Sequence, residues 1–504
     1  EEGTIVIERP GQPTLRLTGV EVVARDISTT EAFPLRVAVS FAPDSRLSLD
    51  GRLGPLDLAA PVRTPFQGEV ALENFRPAAL ASLVTVPPEL VRLGPLGGKL
   101  QVRSGAEEFA VTGRVALLGS DDQGELTLEL AATLPPDFSR VQLDETSVDY
   151  AGTRASAHGQ VALAPAVSFN LALATSEAEV TSLLAIPGRL GYPLPVSLPA
   201  AEGRLTSELQ LQGTPEAWQA TGKASFRNLA VALEGFAEPV KVDLLEITLE
   251  PERIRVAPSQ ITLPPGVTLT VAGTVENYAT DPRLTARVTA GELELGSLLA
   301  LARTFGNDPL GPGQQLSGRV QPDIRLQGPL AEPARLAYEG TLAFRELSLT
   351  TPQLPEPVRI QELQLAFDPK RVSADPFTAQ VGQQLSVRLS FRLDNYQTKP
   401  VLVAQGETED ADLAALLGLV RTLGSDPLPG GQASGRVTAT LNVRGTLAEG
   451  GPPPRISGRA QLANASLQPA ALTEPLAIER ATVGFGPDRL ELTNLRLAAA
   501  GSTL

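Results

Sequence analysis

The sequence contains no cysteine, which excludes disulfide bridges and thiolate chemistry and leaves its redox compartment open. Methionine is also absent, so the chain is expected to be a processed form or part of something longer, with a signal or membrane anchor preceding it. The single histidine, His158, rules out repeated Ser-His-Asp triads and histidine-rich metal sites; it is expected on the solvent side of a strand. Lysine is scarce, limited to Lys99, Lys223, Lys241, Lys370 and Lys399, and the net charge is −15. No basic tract offers a footprint for phosphates, so nucleic acid is not an expected partner. No apolar run approaches the roughly 20 residues that span a bilayer. Nucleophile-elbow, Walker A and dinucleotide-binding motifs are missing. The acidic pairs Asp121–Asp122 and Glu409–Asp410 lie in polar stretches where carboxylates stay solvated. Neither enzymatic activity nor a cofactor or metal is expected.

What the sequence does contain is 45 glycines and 44 prolines spread through a chain that is 42% hydrophobic, the profile of many short strands separated by turns. The chain also repeats itself. GRVQPDIRLQG at 318–328 is matched by GRLTSELQLQG at 203–213 and GRVTATLNVRG at 435–445, at intervals of 115 and 117. Glu-Pro pairs recur at 238, 356 and 474, and Asn-Tyr pairs at 277 and 395, all at intervals of 118. A fixed long period with variation confined to loops marks units that cannot bury an apolar face alone and must stack. The divisions fall at 1–97 (a divergent first repeat), 98–202, 203–317, 318–434 and 435–504, the last stopping in mid-repeat and leaving a sheet edge for something else to cover.

Each repeat reads as five or six strands followed by a short helix. In the clearest copy the strands are expected at 318–328, 334–349, 357–368, 371–381, 383–396 and 401–407. Helices are expected at PAALASLV (77–84), EVTSLLAI (from 179), LGSLLALARTFG (from 295) and LAALLGLVRTLG (from 413), the last two closed by glycine. They should mark the crossovers between modules and lie against one rim of the sheet.

The strands alternate in a constant phase. Leu205, Leu209 and Leu211 share it with Val320, Ile324 and Leu326, and with Val437, Leu441 and Val443; Leu245, Ile247 and Leu249 return as Leu363, Leu365 and Phe367, then as Val483 and Phe485 beside Ala481. One face is therefore apolar and the other wet. One short helix per repeat is too little to roof five strands. The sheet must fold on itself, pair with a second sheet, or curl into a trough covered by an apolar ligand.

The repeated glycine-opened strands, the Glu-Pro strand and the closing run ISGRAQLANASLQPAALTEPLAIERATVGFGPDRLELTNLRLAAAGSTL (456–504) resemble the AsmA family of bacterial envelope proteins, relatives of TamB, over most of the chain. The resemblance implies an all-β fold with a few short helices: an elongated, repetitive, twisted antiparallel sheet curled into a hydrophobic groove. It also implies phospholipid or other acyl-chain cargo carried between inner and outer membranes, membrane-embedded or envelope partners at the ends, and a periplasmic location with anchoring through a segment outside this chain. The seventeen residues of the apolar phase named above, Ala481 aside, are then the expected groove lining. The competing expectation is an envelope scaffold, serving outer-membrane biogenesis or adhesion, whose apolar face is ordinary core.

Overall fold

The computed structural model describes residues 3–7, 15–42, 44–58, 64–82, 93–105, 108–118, 125–190, 200–215, 217–306, 308, 310–352, 354, 356–383, 385–422, 428–447, 454–470, 474–487, 489–499 and 502–503. Its contacts divide into two units: Glu1–Leu233 with Pro239–Ser259, and Glu234–Glu238 with Gln260–Leu504. Both are all-β meanders in which strands that follow one another in sequence pair antiparallel. Short turns make this the cheapest way to pair strands, because consecutive antiparallel strands need no crossover.

The clearest copy lies wholly in the second unit. Its strands are Gln315–Pro329, Ala337–Thr350, Val358–Phe367, Arg371–Val381, Leu385–Asp394 and Val401–Asp412. All six expected strands are present; the sixth runs five residues further, to Asp412, through a bulge at Glu409–Asp410 and into the next helix. Three α-helices occupy the expected crossovers, Val180–Arg189, Leu295–Thr304 and Leu413–Thr422. The last is capped by Asp412, whose Oδ1 accepts from the Ala415 N–H at 2.8 Å. Around Pro77 the chain forms a 3₁₀ helix, Pro77–Ser82; residues 83–84 and Gly424 lie outside the described residues.

The glycine that opens the repeats at 203, 318 and 435 has a local cause. Gly318 faces two residues of the neighbouring strand, Glu346 and Leu347, because Ser317 pairs with Ser348 while Arg319 pairs with Arg345. The same bulge recurs opposite Gly203 and Gly435, and each carries a residue at positive φ: Asn228 at 50°, Glu346 at 53° and Asn464 at 47°. Gly318 itself adopts φ +134°, and a Cβ there would lie 3.0 Å from the Glu346 carbonyl and the Leu347 Cα. Bulges bend a strand and raise its twist, and this one recurs with the period.

A second recurring feature, a close approach of neighbouring strands, sits on the apolar side. A Cβ at Gly340 would stand 2.1 Å from the Asp323 carbonyl and 2.9 Å from the Ile324 Cα. Backbones approach there more closely than any side chain permits. Gly222 and Gly458, one period to either side, are equally tight against Glu208 and Thr440. Glycine kinks with bulges are what make an antiparallel sheet curl.

Candidate apolar binding face

Register brings the expected lining residues together on one face. In the second unit Val320 pairs with Phe344 and Phe344 with Leu363; Ile324 pairs with Gly340 and Gly340 with Phe367; Leu326 pairs with Tyr338, and Leu342 with Leu365. The next copy repeats the scheme: Val437 with Leu462, Leu441 with Gly458 and Gly458 with Phe485, Ala460 with Val483, Val443 with Ile456. In the first unit Leu205–Phe226–Leu245, Leu209–Gly222–Leu249 and Ala224–Ile247 form the same rows, with Leu211 beside Ala220. Cross-strand partners share a face of the sheet, so the three sets are equivalent surfaces.

That face is closed at one rim by the helices. Leu295, Val320 and Leu347 form a buried cluster with Leu298 and Leu299 of the helix packed on it. Leu413, Ala415, Leu416 and Leu419 cover a second cluster of Leu385, Ala411, Val437, Leu462, Ala465, Ile478 and Ala481. Val320 and Val437, expected as groove lining, are 2% and 1% exposed: they are core under a helix rather than open surface. Of the other fifteen expected residues, fourteen are half-buried and Leu441 is exposed, at 37%.

Half-burial is the decisive property. A self-packed core would bring these side chains close to full burial.

The other face is polar. Arg319 contacts Glu292, Glu294 and Glu346 at 3.2, 3.7 and 3.3 Å, and Arg345 contacts Glu292 at 2.6 Å. The Arg319 guanidinium holds the Glu292 carboxyl below the usual carboxylate range, with Arg345 adding to it. Arg204 and Arg436 stand at the same position of their repeats, near Glu179 and Asp410 at 4.0 and 3.8 Å. These pairs brace the strand just before each helix. Their sequence signal is the Gly-Arg dipeptide at 203, 318 and 435.

No family model, no curated protein and no solved structure matches this chain. Chemistry must therefore be read from the surface itself. Among the described residues no cluster of histidine, cysteine and carboxylates could hold a metal, and no helix is long and apolar enough to cross a membrane. His158 is exposed on the strand Thr153–Ala162. Asp410 sits in the bulge beside Arg436, and Asp121–Asp122 lie outside the described residues.

At the rim opposite the helices, sequence reasoning reached Phe367 and Phe485 but missed Trp218, Tyr338, Tyr396 and Gln397. At the strand ends there, aromatic residues stand on the apolar face: Trp218, 52% exposed, pairs with Gly213, and Phe367 and Phe485 pair with Gly340 and Gly458. Tyr338 joins them, its ring centroid 6.2 Å from that of Phe367. The turn after Leu385–Asp394 adds a polar network. The Tyr396 hydroxyl lies 3.2 Å from the Tyr338 hydroxyl and 3.2 Å from the Asp368 carbonyl oxygen, while Gln397 Nε2 donates to the Tyr338 hydroxyl at 2.7 Å. Burial, then the Tyr338 hydrogen bond, pushes the Tyr396 phenol up, so it stays a donor at neutral pH.

Proposed function

We propose that the apolar face holds the acyl chains of lipids, and that the chain is a bridge-like lipid carrier that binds without catalysis. One observation carries this reading: side chains such as Ile324, Leu365 and Ile247 are matched in register from strand to strand yet remain half-exposed. A continuous apolar surface of this kind is unfavourable in water by about 25 cal/mol per Å². Surfaces larger than a few hundred Å² mark binding sites. Acyl chains suit it because they need apolar area and no hydrogen bonds.

The AsmA-family resemblance supplies the setting of the proposal: the bacterial cell envelope, phospholipid cargo between the two membranes, and membrane-embedded partners. The scaffold reading keeps support from the clusters sealed beneath the helices, which are ordinary core. The two readings differ in what the open rows contact. Mass spectrometry of organic extracts from protein purified without detergent separates them: stoichiometric acyl lipid supports the carrier, and protein free of lipid leaves the scaffold.

A further inference from the structure

Among the described residues the tyrosine network at the open rim occurs once. One period earlier the counterparts of Tyr338 and Gln397 are Ala220 and Ala279, and one period later Ile456 stands in place of Tyr338. The rim charge changes at the same place. Lys370 and Lys399 occupy positions held one period earlier by Glu252 and Asp281. Both lysines are exposed, in the two turns that carry Asp368 and Tyr396. Neither makes an ion pair or a side-chain hydrogen bond among the described residues.

Two of the nearby acids have partners of their own, while Glu339 lines the same hollow as Phe367 and Asp368. Asp368 Oδ1 accepts from the backbone N–H groups of Lys370 and Arg371 at 2.7 and 2.9 Å. Asp394 is held by Arg371 and Arg392 at 2.7 and 3.0 Å. Neither ammonium group is in an ion pair among the described residues, in a protein whose net charge is −15, although the Asp368 carboxylate, held only by neutral N–H groups, keeps its charge two residues from Lys370. The hydroxyl chain from Tyr338 through Tyr396 to the Asp368 carbonyl ties three strand ends together, which holds both lysine-bearing turns beside Phe367 and Leu326. Apolar face, amphipathic aromatics and free cations follow one another over a few residues. Tyrosine and tryptophan favour such boundaries, with one end in grease and the other in water.

We propose that Tyr338, Tyr396, Gln397, Lys370 and Lys399 form a head-group site for a phosphate-bearing lipid whose acyl chains lie on the adjoining apolar face. This rests on reading that face as lipid-binding. It also fixes polarity: tails point toward the helix rim and the phosphate toward the open rim. Lysine binds phosphate as a point charge and the tyrosine and glutamine groups add hydrogen bonds, so a neutral lipid of the same chain length should bind more weakly.

The test uses the full chain and three probes: phosphatidylglycerol with a labelled acyl chain, the diacylglycerol with identical chains, and glycerol 3-phosphate. Uptake of each lipid from vesicles is measured per protein, with glycerol 3-phosphate as competitor. Wild type should prefer phosphatidylglycerol about tenfold or more, the effect of charge-assisted hydrogen bonds at one site. In the Lys370→Gln/Lys399→Gln variant, which changes exposed side chains only, the preference should fall near unity while diacylglycerol uptake is unchanged. Tyr338→Phe should reduce it part-way. Equal uptake of both lipids by wild type overturns the head-group site and leaves the apolar face standing; uptake of neither overturns both. Glycerol 3-phosphate that competes as strongly as the lipid overturns the lipid assignment in favour of a free phosphate.

Discussion

Replacing Leu365 by glutamate separates an open trough from a dry core, because the same change at Leu462 supplies an internal control. Leu365 lies mid-face between Leu342 and Ala374 and is half-buried. Full burial of a leucine contributes about 1.5–3 kcal/mol, so Leu365→Glu forfeits roughly 1 kcal/mol, and its carboxylate reaches water whenever the face is empty. Leu462, 7% exposed, packs with Val437 and Ala481 beneath a helix. A carboxylate there loses its hydration and finds no cation, at about 4 kcal/mol or more. For units of this size each kcal/mol moves the melting temperature by about 2–4 °C. Leu365→Glu should therefore melt within about 5 °C of wild type with an unchanged β circular-dichroism spectrum, and Leu462→Glu at least about 10 °C lower. Under acyl chains the Leu365→Glu carboxylate must shed water, which should reduce co-purifying or photocrosslinked lipid by about a hundredfold. Equal destabilisation by the two variants would refute the trough, as would undiminished lipid on Leu365→Glu.

Gly340→Ala forces a Cβ against the Asp323 carbonyl and should destabilise by about 1–3 kcal/mol in denaturant melts, whereas Gly296→Ala, in a helix with open space around it, should stabilise by up to about 1 kcal/mol. Val437→Ala, in a sealed cluster, should lower stability by about 1–2.5 kcal/mol, while Leu441→Ala, 37% exposed, should change it by well under half as much. Glu292 is held below its ordinary range by Arg319 and Arg345, so its contribution is complete above the unfolded carboxylate value and is lost as pH falls through the lower folded one. Glu292→Gln should then be less stable than wild type at pH 7, with the gap closing as acid is added below about pH 4.5; a gap that persists at pH 2 would assign the effect to packing.

The strands and the shared face were legible because a period of two inside a period near 118 is a strong signal: one misplaced residue would turn Leu363, Leu365 and Phe367 toward solvent. Helix positions were legible for a similar reason, a switch of period after each sixth strand. The sealing of Val320 and Val437 was not. Sequence assigns them the same phase as Ile324 and Leu441, and only the helix folding back over the strand start divides one apolar row into core and open surface. Nor did alternation explain why the sheet curls. The kinks at Gly222, Gly340 and Gly458 look in sequence like weak points in a strand, yet each is where a neighbouring backbone comes too close for a Cβ. Each kink is also faced on the next strand by a large residue, Leu249, Phe367 or Phe485. At Gly458 the Phe485 ring fills the space a side chain would take, 2.6 Å from where its Cβ would stand. Close strand approach and apolar lining thus fall on the same pairs of residues, so a side chain added at one of these glycines also disturbs the lining beside it.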